Sequence, residues 1–99
     1  MSIIYGLRQV GTDEIRYVGL TNFSLRKRFA EHQSKARGKW HYEPAPWMRS
    51  TGNVEPVILQ TCAMSKARIA ERRWVERLAR EGHRLLNSHL VPRQTGAAA

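Results

Sequence analysis

The pattern that most constrains the fold is a pair of strand-like segments near the start of the chain. Residues 2–9 (SIIYGLRQ) and 15–21 (IRYVGLT) are rich in isoleucine, valine, leucine and tyrosine, and the turn-like VGTDE separates them. Such residues favour extended backbone, and a short connection containing glycine favours an antiparallel hairpin. In this hairpin Tyr5 and Tyr17 are expected on one face, opposite each other or nearly so.

A first helix is predicted directly after the hairpin. Ser24 is a suitable N-cap for a helix that runs to about Arg37 and is ended by Gly38. The following stretch, residues 38–56, is interrupted by proline and glycine. It is expected to be irregular, with one short helical turn around Trp47 and Met48.

The rest of the sequence adds a strand and the strongest helix. Residues 57–62 (VILQTC) have the composition of a third strand. Ser65 is expected to cap a helix over 66–82, stopped at Gly82. Residues 83–90 (HRLLNSHL) are expected to form a final short helix or turn.

These elements predict an α+β fold, a small three-stranded antiparallel β-sheet flanked by helices in the order β-β-α-β-α-α. A chain of 99 residues is long enough for one domain with a modest core. We therefore expect a single domain over residues 1–90 and a flexible C-terminal tail over 91–99.

The charge of the chain points to a polyanionic partner. Seventeen Lys and Arg outnumber eight Asp and Glu, which gives a formal net charge of +9. Nucleic acid is favoured over membrane, because no apolar run approaches the roughly 18 residues of a membrane helix. The N-terminal residues lack the pattern of a signal peptide and Cys62 is the only cysteine, so a cytoplasmic location is expected.

Three polar residues fall on helix faces that are otherwise apolar. Arg28 lies beside Leu25 and Phe29, and His32 follows four residues later. Each has an ordinary explanation, since an arginine stem can lie along a core with its head in water and a histidine can be structural. Glu71 shares a stripe at helical spacing with apolar residues, namely Ala67, Trp74, Val75 and Leu78. A carboxylate there must be neutral, paired or bound to a cation, and pairing with a nearby arginine is the simplest explanation.

Taken in chain order, these positions resemble the motifs of the GIY-YIG nuclease family. The first strand motif corresponds to Ile3-Ile4-Tyr5 and the second to Tyr17-Val18-Gly19. The chain departs from the family in having Ile3 where the first glycine stands. The matching residues over positions 3 to 87 are Tyr5, Tyr17, Arg28, His32, Glu71 and Asn87. The long helix is more similar to family members of phage and mobile-element type.

The resemblance implies a DNA endonuclease that hydrolyses phosphodiester bonds with a divalent cation. Glu71 would be the metal ligand, holding one Mg²⁺ or Mn²⁺, with water completing the shell. Arg28 would contact the scissile phosphate and offset the negative charge of the transition state.

The resemblance leaves the proton transfer open. Tyr5 or Tyr17 would orient the attacking water or accept its proton, and a lowered pKa would be needed for the second role. His32 could take the proton instead or hold a phosphate. Asn87 would position the site or the DNA backbone rather than take part in chemistry.

The expected partner is DNA, double-stranded, contacted by a group of exposed residues. With no recognition domain in this chain, specificity would come from loops, a homodimer or a protein partner. A non-cleaving basic nucleic-acid-binding module on the same fold is the alternative, and a small ribonucleoprotein component would explain the charge alone. The residues expected at the DNA surface are Arg26, Lys27, Lys39 and Trp40.

Overall fold

The computed structural model describes residues 1–87 and contains one three-stranded sheet. Its strands are β1 (Ser2–Gln9), β2 (Ile15–Thr21) and β3 (Val54–Cys62). The spatial order is β2-β1-β3, and β1 pairs antiparallel with both neighbours. The hairpin predicted from the sequence is therefore confirmed.

Three helices flank this sheet, α1 (Leu25–Arg37), α2 (Ala45–Thr51) and α3 (Ala67–Arg80). A 3₁₀ turn, Met64–Lys66, leads from β3 into α3. The predicted α+β class is confirmed. Along the chain the elements come in the order β1, β2, α1, α2, β3, the 3₁₀ turn and α3. This fits the predicted order, with the short helix α2 placed before β3.

The two predicted serine caps have different outcomes. Ser24 has extended backbone, and its hydroxyl oxygen accepts a hydrogen bond from the N–H of Lys27 at 3.0 Å, so this cap is confirmed. The prediction for Ser65 is wrong, because α3 begins after Lys66 and has no side-chain cap. Ser65 lies inside the 3₁₀ turn, where its backbone is already helical and lacks the extended conformation of a capping residue.

The C-terminus of α1 is closed by a residue in the left-handed region. Gly38 ends the helix as predicted, but the positive φ of 61° belongs to Lys39. The N–H of Lys39 donates to the carbonyl of Ala36, and the N–H of Trp40 donates to that of Lys35, each at 3.3 Å. This is the Schellman arrangement with lysine at the position that glycine usually occupies.

The C-terminus of α3 uses the same arrangement with the usual residue. Gly82 has φ of 97° and donates its N–H to the carbonyl of Ala79 at 3.2 Å. The N–H of His83 donates to the carbonyl of Leu78 at 3.0 Å. The prediction that Gly82 stops this helix is confirmed.

Strand β3 starts earlier than the sequence predicted, at Val54 rather than at residue 57. Pro56 lies within it and pairs with Leu7 of β1. Proline argues against a central strand but is tolerated at an edge, and β3 is an edge strand. The sequence could not show which strand would be central.

The two faces of the sheet are covered by different helices. One core cluster combines Ile4 of β1 with Val75 and Leu78 of α3. The other combines Tyr5 of β1 with residues of α1 and α2. Because neighbouring residues of a strand point to opposite faces, α3 packs on one face and α1 with α2 on the other. Cys62 is half-buried against the first cluster, as expected for a core residue.

After α3 the chain returns along the outer edge of β2. The N–H of Leu86 donates to the carbonyl of Arg16 at 2.6 Å, and the N–H of Ile15 donates to Nδ1 of His83 at 2.8 Å. Residues 83–87 contain no helix, so this part of the predicted final element is not helical.

Two further predictions concern the C-terminus and the membrane. The remainder of the predicted final element, the domain limit at residue 90 and the tail over 91–99 lie outside the described residues. Within residues 1–87, no helix has the length and apolar character needed to cross a membrane.

Candidate active site

The hydroxyl of Tyr5 is the centre of a buried polar chain. Tyr5 is fully buried and His32 is 3% exposed, and Tyr5 Oη lies 2.6 Å from His32 Nε2. Arg28 Nε donates to the same Tyr5 oxygen at 3.3 Å. The structure therefore brings together three of the residues selected from the sequence, on β1 and α1.

Burial keeps both the phenol and the imidazole of this chain neutral. Desolvation raises the pKa of Tyr5 to about 12 despite the nearby Arg28 charge. Desolvation, together with the charges of Arg28 and Lys35, lowers the pKa of His32 to about 4. At neutral pH the Tyr5 O–H can donate to Nε2, which leaves the His32 proton on Nδ1, while the Tyr5 oxygen accepts from Arg28.

Tyr17 lies on the same sheet face as Tyr5, one diagonal step away. Its register partner in β1 is Leu7, whereas the partner of Tyr5 is Gly19. The Tyr17 ring meets the His32 ring edge-on, with centroids 5.6 Å apart. Burial raises the pKa of Tyr17 as well. The expectation that both tyrosines share a face is confirmed, and they contact the same imidazole.

Gly19 makes room for the Tyr5 phenol. A Cβ at position 19 would overlap Oη and Cζ of Tyr5, because the ring lies across the β2 backbone there. The glycine is therefore required by close approach of a neighbouring side chain. The sequence motif Tyr17-Val18-Gly19 thus has a packing reason that connects it to Tyr5.

Arg28 stands at the boundary between the buried chain and solvent. Its side chain is 29% exposed, and Nη1 forms an ion pair with Glu31 at 3.0 Å. The pKa of Glu31 is lowered, chiefly by this hydrogen bond. Sequence reasoning missed Glu31, although its spacing of three residues from Arg28 on a helix was a usable signal.

Two surface hollows meet at Arg28. The first, called here the turn-side hollow, is lined by Thr21, Phe23, Lys27, Arg28 and Glu31. The second, called the loop-side groove, is lined by Tyr17, by Arg28, His32 and Lys35 of α1, and by residues 40 and 42–45. A ligand in either hollow would meet the Arg28 guanidinium.

Glu71 lies on α3 but interacts electrostatically with Tyr5 and Tyr17, which lie on the α1 face of the sheet. It is half-buried, and its negative charge contributes to the raised pKa of both Tyr5 and Tyr17. Among residues 1–87, no group of three or more His, Cys, Asp or Glu is arranged to hold a metal ion.

Asn87 is tied to the backbone of β2 rather than to the polar chain. Its Nδ2 donates to the carbonyl of Val18 at 2.7 Å, and its Oδ1 accepts from the Val18 N–H at 2.9 Å. The buried amide thus replaces a missing neighbouring strand for the residue between Tyr17 and Gly19. The positioning role expected for Asn87 stays a prediction.

The four residues expected to contact DNA are all exposed. Lys27 lines the turn-side hollow and Trp40 lines the loop-side groove. Lys39 lies in the turn that closes α1, and Arg26 is on α1 but lines neither hollow. Sequence reasoning also missed Phe23 and Lys35, which have no distinctive local pattern.

Comparison of the chain with protein-family models, curated proteins and solved structures finds no match. The chemistry of the site must be inferred from its own residues. A surface guanidinium is hydrogen-bonded to a phenol that is backed by a neutral imidazole, and a carboxylate acts electrostatically on that phenol. Such a set can bind an anion and transfer a proton beside it.

Proposed function

We propose that this protein is a divalent-metal-dependent DNA endonuclease that hydrolyses phosphodiester bonds. The observation that supports this most is the hydrogen-bonded chain of His32, Tyr5 and Arg28. The Arg28 guanidinium forms the end of this chain that reaches the surface. A purely structural core would gain more from apolar side chains at these positions than from a buried phenol and imidazole. The order of the GIY-YIG-like motifs supports the same proposal.

In this proposal Arg28 binds the scissile phosphate. Its guanidinium is directed by Tyr5 on one side and is paired with Glu31 on the other. A phosphate offers a bidentate partner that competes with the exposed Glu31 carboxylate. Arg28 then stabilises the additional negative charge that develops on the phosphate oxygens in the transition state.

The Tyr5–His32 pair is proposed to accept the proton of the attacking water. With a pKa of about 12, Tyr5 is not ionised at neutral pH, but it can take a proton at Oη while donating its own to His32 Nε2. The water oxygen bonds to phosphorus, the P–O bond to the leaving oxygen breaks, and that oxygen takes a proton from solvent. Because Tyr5 is fully buried and its Oη is hydrogen-bonded to Arg28, the proposal requires Arg28 to move onto the phosphate first.

The movement of Arg28 onto the phosphate would also make His32 a better proton acceptor. The Arg28 charge is one reason for the low pKa of His32. A phosphate bound to Arg28 offsets that charge and so raises the pKa of His32, although burial, the largest cause of the low pKa, remains. Tyr17, which lines the loop-side groove, is placed to orient the water.

Glu71 is the residue that would hold Mg²⁺ or Mn²⁺, and the bound ion would supply positive charge to the phosphate oxygens. The fit rests on a hard carboxylate ligand whose charge already acts on both tyrosines. One carboxylate on the protein would be sufficient in this arrangement, because the DNA phosphate would supply another ligand to the ion.

The partner in this proposal is double-stranded DNA in the cytoplasm. The net charge of +9 and the exposed Arg26, Lys27, Lys39 and Trp40 supply phosphate and base contacts. Sequence specificity would come from the loops, from a homodimer or from a protein partner.

The test is nicking of supercoiled plasmid with Mg²⁺ or Mn²⁺ and with EDTA. Cleavage is expected only with the metal, and Glu71→Gln should lower its rate at least about 100-fold without loss of DNA binding. The matched control is Glu76→Gln on the same helix, whose carboxylate is paired with Arg72 at 3.7 Å. DNA binding without nicking by the wild-type protein, with or without metal, would instead favour the non-cleaving nucleic-acid-binding module.

A further inference from the structure

The loop-side groove carries two large aromatic side chains that the protein leaves in solvent. Trp40 is 50% exposed and Tyr42 is 78% exposed, and both line the groove with Arg28. Trp47, in the neighbouring helix α2, is instead buried in the core. Exposed aromatic faces beside a phosphate-binding cation are the features with which proteins stack unpaired bases.

Trp40 is held in a defined place rather than left at a frayed helix end. Its N–H and its carbonyl are both used, donating to Lys35 and accepting from Arg49 Nη2 at 3.1 Å. The Lys35 ammonium lies 5.0 Å from the centre of its ring. The left-handed Lys39 turns the chain so that this ring projects beside α1.

The charges of the groove give a bound nucleotide one orientation. The α1 wall carries the cations Arg28 and Lys35, whereas the loop wall carries Glu43. Phosphate is attracted to the first wall and repelled by the second. The base must then point towards the loop, where the Glu43 carboxylate can accept from an exocyclic amino group and the aromatic rings can stack.

We propose that the loop-side groove binds an unpaired nucleotide next to the phosphate held by Arg28. The preferred substrate is then duplex DNA that carries a short single-stranded segment at the cleavage position. A base inside an intact duplex is stacked on its neighbours and cannot offer its face to Trp40 or Tyr42 without the cost of flipping. This inference rests on the proposed function, because it takes the Arg28 phosphate as the one that is cleaved.

The test compares two DNA probes bound in EDTA, where no cleavage occurs. One is a matched duplex, and the other is the same duplex with a short bulge that contains 2-aminopurine. The wild-type protein should bind the bulged duplex at least about 10-fold more tightly and quench the 2-aminopurine fluorescence. The double variant Trp40→Ala, Tyr42→Ala should lose both effects, with a much smaller loss of affinity for the matched duplex.

Two controls separate stacking from other causes. The double variant Trp40→Phe, Tyr42→Phe keeps aromatic faces and should retain the bulge preference. Ile69→Ala removes a side chain on α3 that is also exposed, at 58%, and should change nothing.

The results that overturn the inference are equally specific. A wild-type protein without bulge preference, or alanine variants that weaken both probes equally, would show that the rings do not stack on a base. Binding in EDTA does not depend on catalysis. Failure to nick any DNA with metal would therefore overturn the proposed function, whereas loss of the bulge preference alone would overturn this inference.

Discussion

The two faces of the sheet are packed with different chemistry. On the α3 face the buried cluster is entirely aliphatic, with Ile4, Val18 and Val75 fully buried. On the α1 face the most buried side chains include Tyr5 and His32, which hydrogen-bond to each other. The first arrangement gains stability from apolar burial alone, and the second keeps polar groups in fixed positions at some cost in solvation. Aliphatic packing thus dominates the α3 face, whereas the Tyr5–His32 part of the candidate site lies on the α1 face, and Glu71 is the site residue that α3 contributes.

The largest expected effect on stability comes from truncating a buried side chain on the α3 face. Leu78→Ala removes a side chain that is 5% exposed and should lower the free energy of unfolding by about 2–5 kcal/mol. Urea unfolding followed by circular dichroism measures the change. The rate of nicking by the fraction that remains folded should stay near the wild-type value, and a large catalytic defect would show that Leu78 also positions Glu71, which lies on the same stripe of α3.

The α1 face should make stability sensitive to mild acid. The folded-state pKa of His32, about 4, is below its ordinary value of 6.5, so the unfolded chain binds more protons between these values. Stability is therefore fully present above pH 6.5 and falls by up to about 3 kcal/mol as the pH drops to 4. Unfolding midpoints across this pH range give the measurement, with His32→Gln as the variant that lacks the titrating group.

A second acid transition is expected at lower pH from a surface pair. The Arg84 guanidinium, hydrogen-bonded to the Glu14 carboxylate, holds the pKa of Glu14 at about 2. Its contribution is lost only as the pH falls from about 4.5 towards 2, which is almost entirely below the range assigned to His32. A loss above pH 4.5 that persists in His32→Gln would contradict the assignment to the imidazole.

Removal of one oxygen on the α1 face should affect catalysis more than stability. Tyr5→Phe leaves His32 Nε2 and Arg28 Nε without their shared partner, at a cost of about 1–2 kcal/mol in stability. The nicking rate should fall about 100-fold or more, because the proposed proton acceptor is lost. Tyr17→Phe is the matched control, and a larger defect for Tyr17→Phe would transfer the proton role to that residue.

The smallest expected effect concerns the turn that closes α1. Lys39 occupies a left-handed conformation that glycine adopts without strain, as Gly82 does after α3. Lys39→Gly should therefore raise the free energy of unfolding by roughly 1 kcal/mol. If Lys39 contacts a phosphate, the same variant should reduce the slope of log K against log salt by about one unit, measured on duplex DNA in EDTA.

Local signals were sufficient to predict much of the fold. The hairpin, the Ser24 cap and the glycine stop at residue 82 each depend on a few neighbouring residues, and all three are confirmed. The cap at Ser65 and the start of β3 were predicted wrongly. Both depend on context outside the local pattern, namely the 3₁₀ turn before α3 and the edge position of the strand that contains Pro56.

The residues of the candidate site could be selected from the sequence, but their contacts could not. Tyr5 and His32 are 27 positions apart, and the periodicity of a strand or a helix cannot predict that their polar atoms are in contact. The reason for Gly19 is equally non-local, because it is a tyrosine on the neighbouring strand. Asn87 was expected near the site, yet its bonds to both polar groups of the Val18 backbone required the chain path after α3.

That chain path limits how two copies of the protein could associate. Residues 83–87 occupy the free side of β2 through Leu86 and Asn87, so a second sheet cannot extend from that strand. The other border of the sheet is β3, where Pro56 removes a backbone donor. A symmetric dimer would therefore be joined through helix surfaces or side chains rather than by a continuous sheet across the two subunits.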